Sequence, residues 1–306
     1  MQLLHNIPEV FPQPSVVAIG FFDGVHRGHR YLIDQVREVA AARGFASGVV
    51  TFPIHPRKVV QQDYHPELLT AYNEKVSLLA QTGLDYCMML DFTPGIAMLS
   101  AREFMVFLRD NYNIRALVVG YDHRFGRNRS ECFEHYVRYG QELGIEVVPA
   151  CAYINKDAAV SSSVIRHLLL EGNVSEAAEC LGYDYFLNGT VVDGYRIGRK
   201  IGFPTANLRV DEPDKLVPAD GVYAVRVTIA GQVYGGMLGI GYRPTIGNGP
   251  ERSIEVNIFD FHSDIYEEHI RLSFVKFLRP ELKFESIDQL IAQLHKDAEE
   301  ASRCLR

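Results

Sequence analysis

The stretch Val16-Val17-Ala18-Ile19-Gly20-Phe21-Phe22-Asp23-Gly24-Val25-His26-Arg27-Gly28-His29 decides how the first half of this chain folds. Its first four residues are apolar and mostly β-branched, the pattern of a buried strand. Beyond it, Leu32, Ile33, Val36, Val39 and Ala40 recur at helical spacing. A glycine turn therefore joins a strand to a helix. Gly24 and Gly28 let backbone approach a ligand with no Cβ in the way, and free N–H groups at the helix start favour a phosphate. His26 and His29, three apart, share one face of the first turn. Two imidazoles there can donate hydrogen bonds to charge that builds up on a phosphate. Phosphoryl and nucleotidyl transfer need mainly such placement and charge stabilisation. The same pair also fits two plainer uses, surface residues or two ligands of a zinc ion. Zinc needs further ligands, and no Cys or HExxH pattern lies nearby. Neither a GxGxxG nor a Walker A sequence occurs.

Working outward, residues 1–185 alternate short apolar runs with amphipathic stretches. Strands are expected at Val16–Ile19, Ser47–Phe52, Tyr86–Leu90, Ala116–Val119 and Glu146–Pro149, and helices at 29–43, 73–82, 101–111 and 131–143. Ser100-Ala101-Arg102-Glu103 is a capping box. Strand and helix in alternation predict a Rossmann-like parallel α/β sheet with right-handed crossovers. Ligands of such sheets sit at the C-terminal ends of strands, where the glycine-histidine turn falls.

A second glycine turn, Gly120-Tyr121-Asp122-His123-Arg124-Phe125-Gly126-Arg127-Asn128-Arg129, also follows a strand. Its arginines suit phosphates, and Asp122 suits a ribose hydroxyl or Mg²⁺; a solvated basic loop is the plainer use. In Val160-Ser161-Ser162-Ser163-Val164-Ile165-Arg166 the serines open a helix. Their hydroxyls and N–H groups can bind phosphate with Arg166, or they only cap the helix. Asn173-Val174-Ser175-Glu176 caps another helix, which ends near Leu181-Gly182.

The texture changes at residue 186. Alternating runs at Gly189–Val192, Gly221–Ile229, Gln232–Ile240, Ser253–Phe261 and His269–Leu278, with frequent turns, predict an antiparallel β-barrel or sandwich. A last helix starts at Ser286, with Gln289 completing its cap and Ile287, Leu290, Ile291, Leu294 and Ala298 as its apolar stripe. Two domains are expected, 1–185 and 186–306. In Gly194-Tyr195-Arg196-Ile197-Gly198-Arg199-Lys200-Ile201-Gly202-Phe203-Pro204-Thr205-Ala206-Asn207, glycines and cations make an anion loop. In an extended segment Thr205 and Asn207 face one side. Their oxygens can hold Mg²⁺ together with substrate phosphates, though a polar β-turn accounts for the same residues.

Gly20-x-Phe22-Asp23-Gly24-x-His26-x-Gly28-His29 resembles the nucleotidyltransferase signature of bifunctional riboflavin kinase/FAD synthetases. The loop carrying Asp122 and the Val160–Arg166 segment are similar to two further motifs of that family. Gly198-Arg199-Lys200-Ile201-Gly202-Phe203-Pro204-Thr205-Ala206-Asn207 resembles its kinase fingerprint. So do Gly239-Ile240-Gly241-Tyr242-Arg243-Pro244-Thr245 and Ile254–Phe261, with Gly239 where Asn is usual and Asn257 where His is common.

The resemblance implies a bifunctional enzyme. An N-terminal FMN adenylyltransferase domain would make FAD and pyrophosphate from FMN and ATP. A C-terminal barrel would make FMN from riboflavin and ATP. It implies catalytic roles for His26, His29, Arg166 and Glu255, the last as general base, and Mg²⁺ held by Thr205 and Asn207. Nucleotide and flavin contacts would fall to Gly20, Phe22, Asp23, Gly24, Gly28, Asp122, Ser162 and Ser163, and in the barrel to Gly194, Gly198, Arg199 and Lys200. The rivals are one retained activity, or a flavin-binding sensor without turnover.

Composition bounds the rest. The 306 residues suffice for about two domains, and 47% hydrophobic with 23% charged residues is ordinary for a soluble globular protein. A net charge of −7 argues against general nucleic-acid binding. Five scattered cysteines without CxxC read as reduced cytosolic thiols. No signal peptide and no apolar run of transmembrane length is expected. A cytoplasmic enzyme with small-molecule partners and no membrane contact is therefore expected, its oligomeric state open.

Overall fold

A computed structural model describes residues 1–6, 13–61, 63–120, 123–155, 158–194, 197–242 and 252–306. The chain forms two compact units, Met1–Ser162 and Ser163–Arg306. The first contains β1 (Gln2–His5), β2 (Ser15–Ile19), α1 (Arg27–Arg43), β3 (Ala46–Thr51), α2 (Pro56–Val60), α3 (Tyr72–Ala80), β4 (Tyr86–Met89), α4 (Pro94–Ala97), α5 (Ala101–Tyr112), β5 (Ile114–Gly120), α6 (Phe133–Leu143), β6 (Glu146–Ala150), β7 (Ile154–Asn155) and β8 (Ala158–Ala159). α7 (Ser162–Leu170) begins at the boundary. The second unit continues with α8 (Val174–Leu181), β9 (Phe186–Val192), α9 (Ile197–Lys200), β10 (Ala206–Val210), β11 (Gly221–Ile229), β12 (Gln232–Tyr242), β13 (Arg252–Ile258), β14 (His269–Arg279) and α10 (Ile287–Leu305).

The first unit is built on a parallel sheet in the order β1-β4-β3-β2-β5-β6. Every residue of β2, β3 and β4 is buried, which is why these strands read as continuous apolar runs rather than as alternations. From β2 the chain winds outward through β3 and β4, then returns to lay β5 on the other side of β2. The C-terminal ends of β2 and β5 therefore flank the point where the winding reverses, the crevice in which open α/β sheets bind ligands. Both glycine turns start there. α1 buries Ile33, Val36 and Ala40. The Ser100 box is present, Ser100 Oγ accepting from Glu103 N at 3.3 Å and Glu103 Oε2 from Ser100 N at 2.8 Å. β1 was not legible: only Leu4 of its four residues is buried.

The second unit is a closed antiparallel barrel, β10-β13-β12-β11-β14-β9. Its lumen is filled by alternate residues such as Tyr223, Val225, Leu238, Ile240, Ile254 and Val256. The other alternate set faces outward. There α10 lays Ile291, Leu294, Ala298 and Ala301 against Ala224, Met237 and Phe203. Ile287, placed on that stripe from the sequence, is 64% exposed, because it opens the helix before the strip of contact begins. Ser286 caps α10 through Gln289, its Oγ accepting from Gln289 N at 3.3 Å, while the Gln289 side chain accepts from Glu285 N at 3.2 Å. Asn173 precedes α8 but its side chain makes no cap bond and donates to Glu171 instead. Gly182 ends α8 at φ 85°, a left-handed position that suits glycine. Among the described residues no helix is long and apolar enough to cross a membrane.

Candidate active site

Each unit carries one candidate centre. In the first, His26 is the N-cap of α1 and its Nδ1 accepts from His29 N at 3.2 Å. That bond leaves Nε2 as the N–H of the His26 ring. The two imidazoles stack, centroids 3.6 Å apart and 16° from parallel, and His29 also meets Phe22 edge-on. Nδ1 of His29 is shut off from solvent and has no hydrogen-bond partner among the described residues. Burial, then His26, Lys75 and His123, hold the His29 pKa well below the usual imidazole value. His29 is therefore an uncharged ring at neutral pH, with one N–H to offer.

The turn that presents this pair is strained. Phe22, Gly24 and Val25 have φ of 54°, 81° and 38°; for a β-branched residue such as Val25 this is costly and needs outside support. Asp23 supplies part of it. It is buried, and its carboxylate accepts from Leu69 N (3.0 Å), Thr70 N (3.0 Å) and the Thr70 hydroxyl (3.2 Å), while Thr70 Oγ1 accepts from Gly24 N at 3.0 Å. Ser162 donates its hydroxyl to the Asp23 carbonyl at 2.9 Å. A Cβ at Gly28 would press on Val160 O at 3.0 Å and on the His26 ring at 3.1 Å. Gly20 faces the Phe22 ring in the same way, at 3.2 Å.

Ser163 and Arg166 follow on the exposed and half-buried sides of α7. Asp122 lies outside the described residues. Arg124, Arg127 and Arg129 of that second turn are exposed, and Gly126 packs its Cα on the Ala101 backbone with no room for a side chain.

In the barrel, Asn207 of β10 stands directly opposite Glu255 of β13, and Glu255 directly opposite Gly239 of β12. Residues facing each other in register share one side of the sheet. These lie on the outer face, since their neighbours Val256 and Leu238 fill the lumen. Thr205 donates to Glu255 Oε2 at 3.2 Å. Gly194 backs onto the Asn207 amide so closely that a Cβ would overlap it, and Gly198 lies as closely under the Phe203 carbonyl. Asn257 donates from Nδ2 to Pro204 O at 2.7 Å, fixing the segment that carries Thr205.

A cavity of about 290 Å³ opens beside Glu255, bounded by Phe203, Met237, Gly239, Asn257, Glu281 and Leu294. A second of about 90 Å³, bounded by Arg199, Pro204, Phe261 and Tyr266, lies across Thr205, which lines both. The Lys200 side chain and residues 243–251, with Arg243-Pro244-Thr245, lie outside the described residues. Thr205, Asn207 and Glu255 offer hydroxyl, amide and carboxylate oxygens, a set that suits a hard cation such as Mg²⁺. No cluster of three or more His, Cys, Asp or Glu side chains suited to a metal gathers among the described residues.

The family model for FAD synthetase matches residues 9–164, and that for riboflavin kinase matches residues 181–305. The chain belongs to the bifunctional riboflavin kinase/FMN adenylyltransferase family. Curated members of that family similar to it include proteins of Listeria monocytogenes (38% identical, covering 94% of this chain and 91% of that one), Bacillus subtilis (35%, 98% and 95%) and Escherichia coli K12 (34%, 96% and 94%). A crystal structure from Streptococcus pneumoniae, described as a macrolide-efflux protein, superposes with a TM-score of 0.89 at 33% identity over 99% of both chains. This bifunctional family member is thus an enzyme with a nucleotidyltransferase half and a kinase half, on a fold shared along its whole length.

Two residues beside these candidate sites, Lys75 and Glu281, were not singled out in the sequence. Lys75 lies three and four residues before Leu78 and Leu79, so its place on the buried stripe of α3 was a readable signal. Glu281 lies in the cavity with its carboxylate against Gly241, where burial and Asp220 push its pKa up. Nothing in the sequence marks it. The tie from Asn257 to Pro204 is likewise a product of barrel register.

Proposed function

We propose that the barrel unit phosphorylates riboflavin with ATP, giving FMN and ADP, and that the N-terminal unit joins FMN to AMP from a second ATP, giving FAD and pyrophosphate. Residues 186–306 would carry the first reaction and residues 1–185 the second. The observation that supports this reading is that the His26–His29 turn lies in one compact unit and Thr205, Asn207 and Glu255 lie in the other.

In the kinase site, Glu255 takes the proton from the terminal ribityl hydroxyl as that oxygen attacks the γ-phosphorus of ATP. The flavin occupies the larger cavity and the nucleotide the smaller, which meet at Thr205. Thr205 and Asn207 would hold Mg²⁺, which would supply charge neutralisation on the phosphates when bound; Gly194, Gly198, Arg199 and Lys200 would shape the anion loop. In the other site the FMN phosphate attacks the α-phosphorus of ATP and pyrophosphate leaves. His26, through Nε2–H, and His29 donate to charge developing on the phosphates. Arg166 and Ser163 assist, and Asp122 meets the nucleotide. Gly20, Gly24 and Gly28 allow close approach. Asp23, Phe22 and Ser162 serve the same site by holding the turn.

Riboflavin, FMN, FAD and ATP are then the partners, and nucleic acid and membrane are not. We place the enzyme in the cytoplasm, in keeping with its scattered cysteines. Incubating the chain with riboflavin and Mg-ATP and following flavins by chromatography tests the reading. FMN should appear first and FAD after it; failure of both to form overturns it, and FMN without FAD removes the second half.

A further inference from the structure

Lys75 is a buried charged residue that the motifs do not use. It is 2% exposed, and its Nζ donates to Phe52 O at 2.7 Å and to Phe21 O at 3.2 Å. The ammonium also lies 3.9 Å from the centre of the Phe21 ring. A buried ammonium is unfavourable unless such acceptors meet it. Here burial draws its pKa down to about 8, with Asp23 opposing. Phe52 directly follows β3, and Phe21 is the first residue of the loop to pass beyond Gly20. The side chain therefore ties α3 to the ends of two neighbouring strands, just where the chain enters the left-handed φ values at Phe22, Gly24 and Val25. Thr51 helps, donating its hydroxyl to Phe21 O at 3.1 Å.

We propose that Lys75 is a positioning residue for nucleotidyl transfer: it anchors the strained turn at Phe21 so that the His26–His29 pair is offered to the phosphates in one geometry. This rests on the reading of the first unit as the adenylyl-transfer site. Its charge has a second effect. The groups facing His29 are His26 on the same turn, His123 from the turn after β5, and Lys75 from α3, with Asp23 beside Lys75 as the opposing carboxylate. All three basic groups disfavour a charged His29. Removing Lys75 raises the His29 pKa and moves the ring toward a cation in the working pH range.

The test compares the full chain with Lys75→Met. FAD formation from FMN and Mg-ATP is followed against pH, FMN formation from riboflavin is followed alongside, and His29 is titrated by NMR. A misplaced catalytic constellation typically loses about 10²-fold in rate. The expected result is a fall of that order in kcat for FAD formation, a much smaller change in KM, and an acid limb and His29 titration displaced to higher pH. FMN formation should be unchanged. Lys75→Gln, which keeps a donor for one carbonyl but no charge, should show the same displacement with a smaller loss of kcat; it decides the matter if the Met variant does not fold. Wild-type kcat and an unmoved His29 titration in a folded variant overturn the proposal. Absence of FAD formation in the wild type instead removes the adenylyl-transfer reading, while the His29 titration still reports on Lys75.

Discussion

Asn207 and Glu255 face each other across the β10–β13 pair, and the Thr205 hydroxyl closes the group by donating to Glu255 Oε2 at 3.2 Å. Three oxygen-bearing side chains, from β13, β10 and the residue just before β10, thus gather beside the larger cavity, with Thr205 lining both cavities. Glu255→Gln keeps the shape and an acceptor for Thr205 but cannot take a proton at neutral pH. A positioned general base contributes about 10²–10⁴-fold, so FMN formation should fall within that range. Calorimetric affinity for riboflavin should stay near wild type, and FAD formation from supplied FMN should continue. Near-normal kinase turnover in this variant removes Glu255 as the base.

Two glycines of the barrel should respond oppositely to a side chain. A Cβ at Gly198 would overlap the Phe203 carbonyl oxygen, whereas one at Gly239 would meet nothing nearer than Glu255 O at 4.0 Å. Gly198→Ala should distort the turn that positions Thr205 and lower FMN formation by about 10²-fold or more. Gly239→Asn should fold with a melting midpoint close to wild type and place an amide beside Glu255. A normal rate in the first variant would contradict the packing of Gly198 under the Phe203 carbonyl, and a collapse of stability in the second would contradict the register described for β12.

Asp23 should be a stability residue more than a binding one. Asp23→Ala leaves Leu69 N, Thr70 N and the Thr70 hydroxyl without their acceptor. Each buried donor left unpaired costs about 1–3 kcal/mol. Denaturant unfolding of the variant should show a loss of at least that size, with FAD formation reduced and FMN formation spared. Full stability with selective loss of ATP binding would instead make Asp23 a ligand contact.

The barrel should stand alone only with its leading helices. α8 packs on β14, where Ser175 donates to Val275 O at 3.0 Å, and Ala219 N donates to Leu169 O at 3.0 Å. Leu169, Val174, Ala177 and Leu181 are buried. A fragment of residues 163–306 should unfold cooperatively and make FMN. One beginning at Asp184 gives up those contacts, at about 1.5–3 kcal/mol for each large apolar side chain, and should melt markedly lower. Equal midpoints for the two fragments would show that α7 and α8 do not support the barrel.

The central strands of the parallel sheet, the change to a barrel and the glycine-histidine turn were written in local patterns. Continuous apolar runs marked β2, β3 and β4 because parallel central strands are buried on both faces. The glycine-histidine turn was readable because a strand-to-helix junction has one place for close backbone approach. The spacing of Thr205 and Asn207 told which side they share because strand side chains alternate with period two.

What the sequence could not hold is pairing between distant segments. That Asn207 meets Glu255, and Glu255 meets Gly239, is set by the register of three strands around a closed barrel. That these three residues lie on the outside of that barrel follows from which alternate set fills the lumen. Lys75 under the turn, the carboxylate of Asp23 turned to Leu69 and Thr70, and the uncharged state of His29 arise where burial brings helix, loop and strand end together. Local propensity carries no term for such meetings: they depend on desolvation and on hydrogen bonds closed across many residues of chain, and only the folded protein creates both.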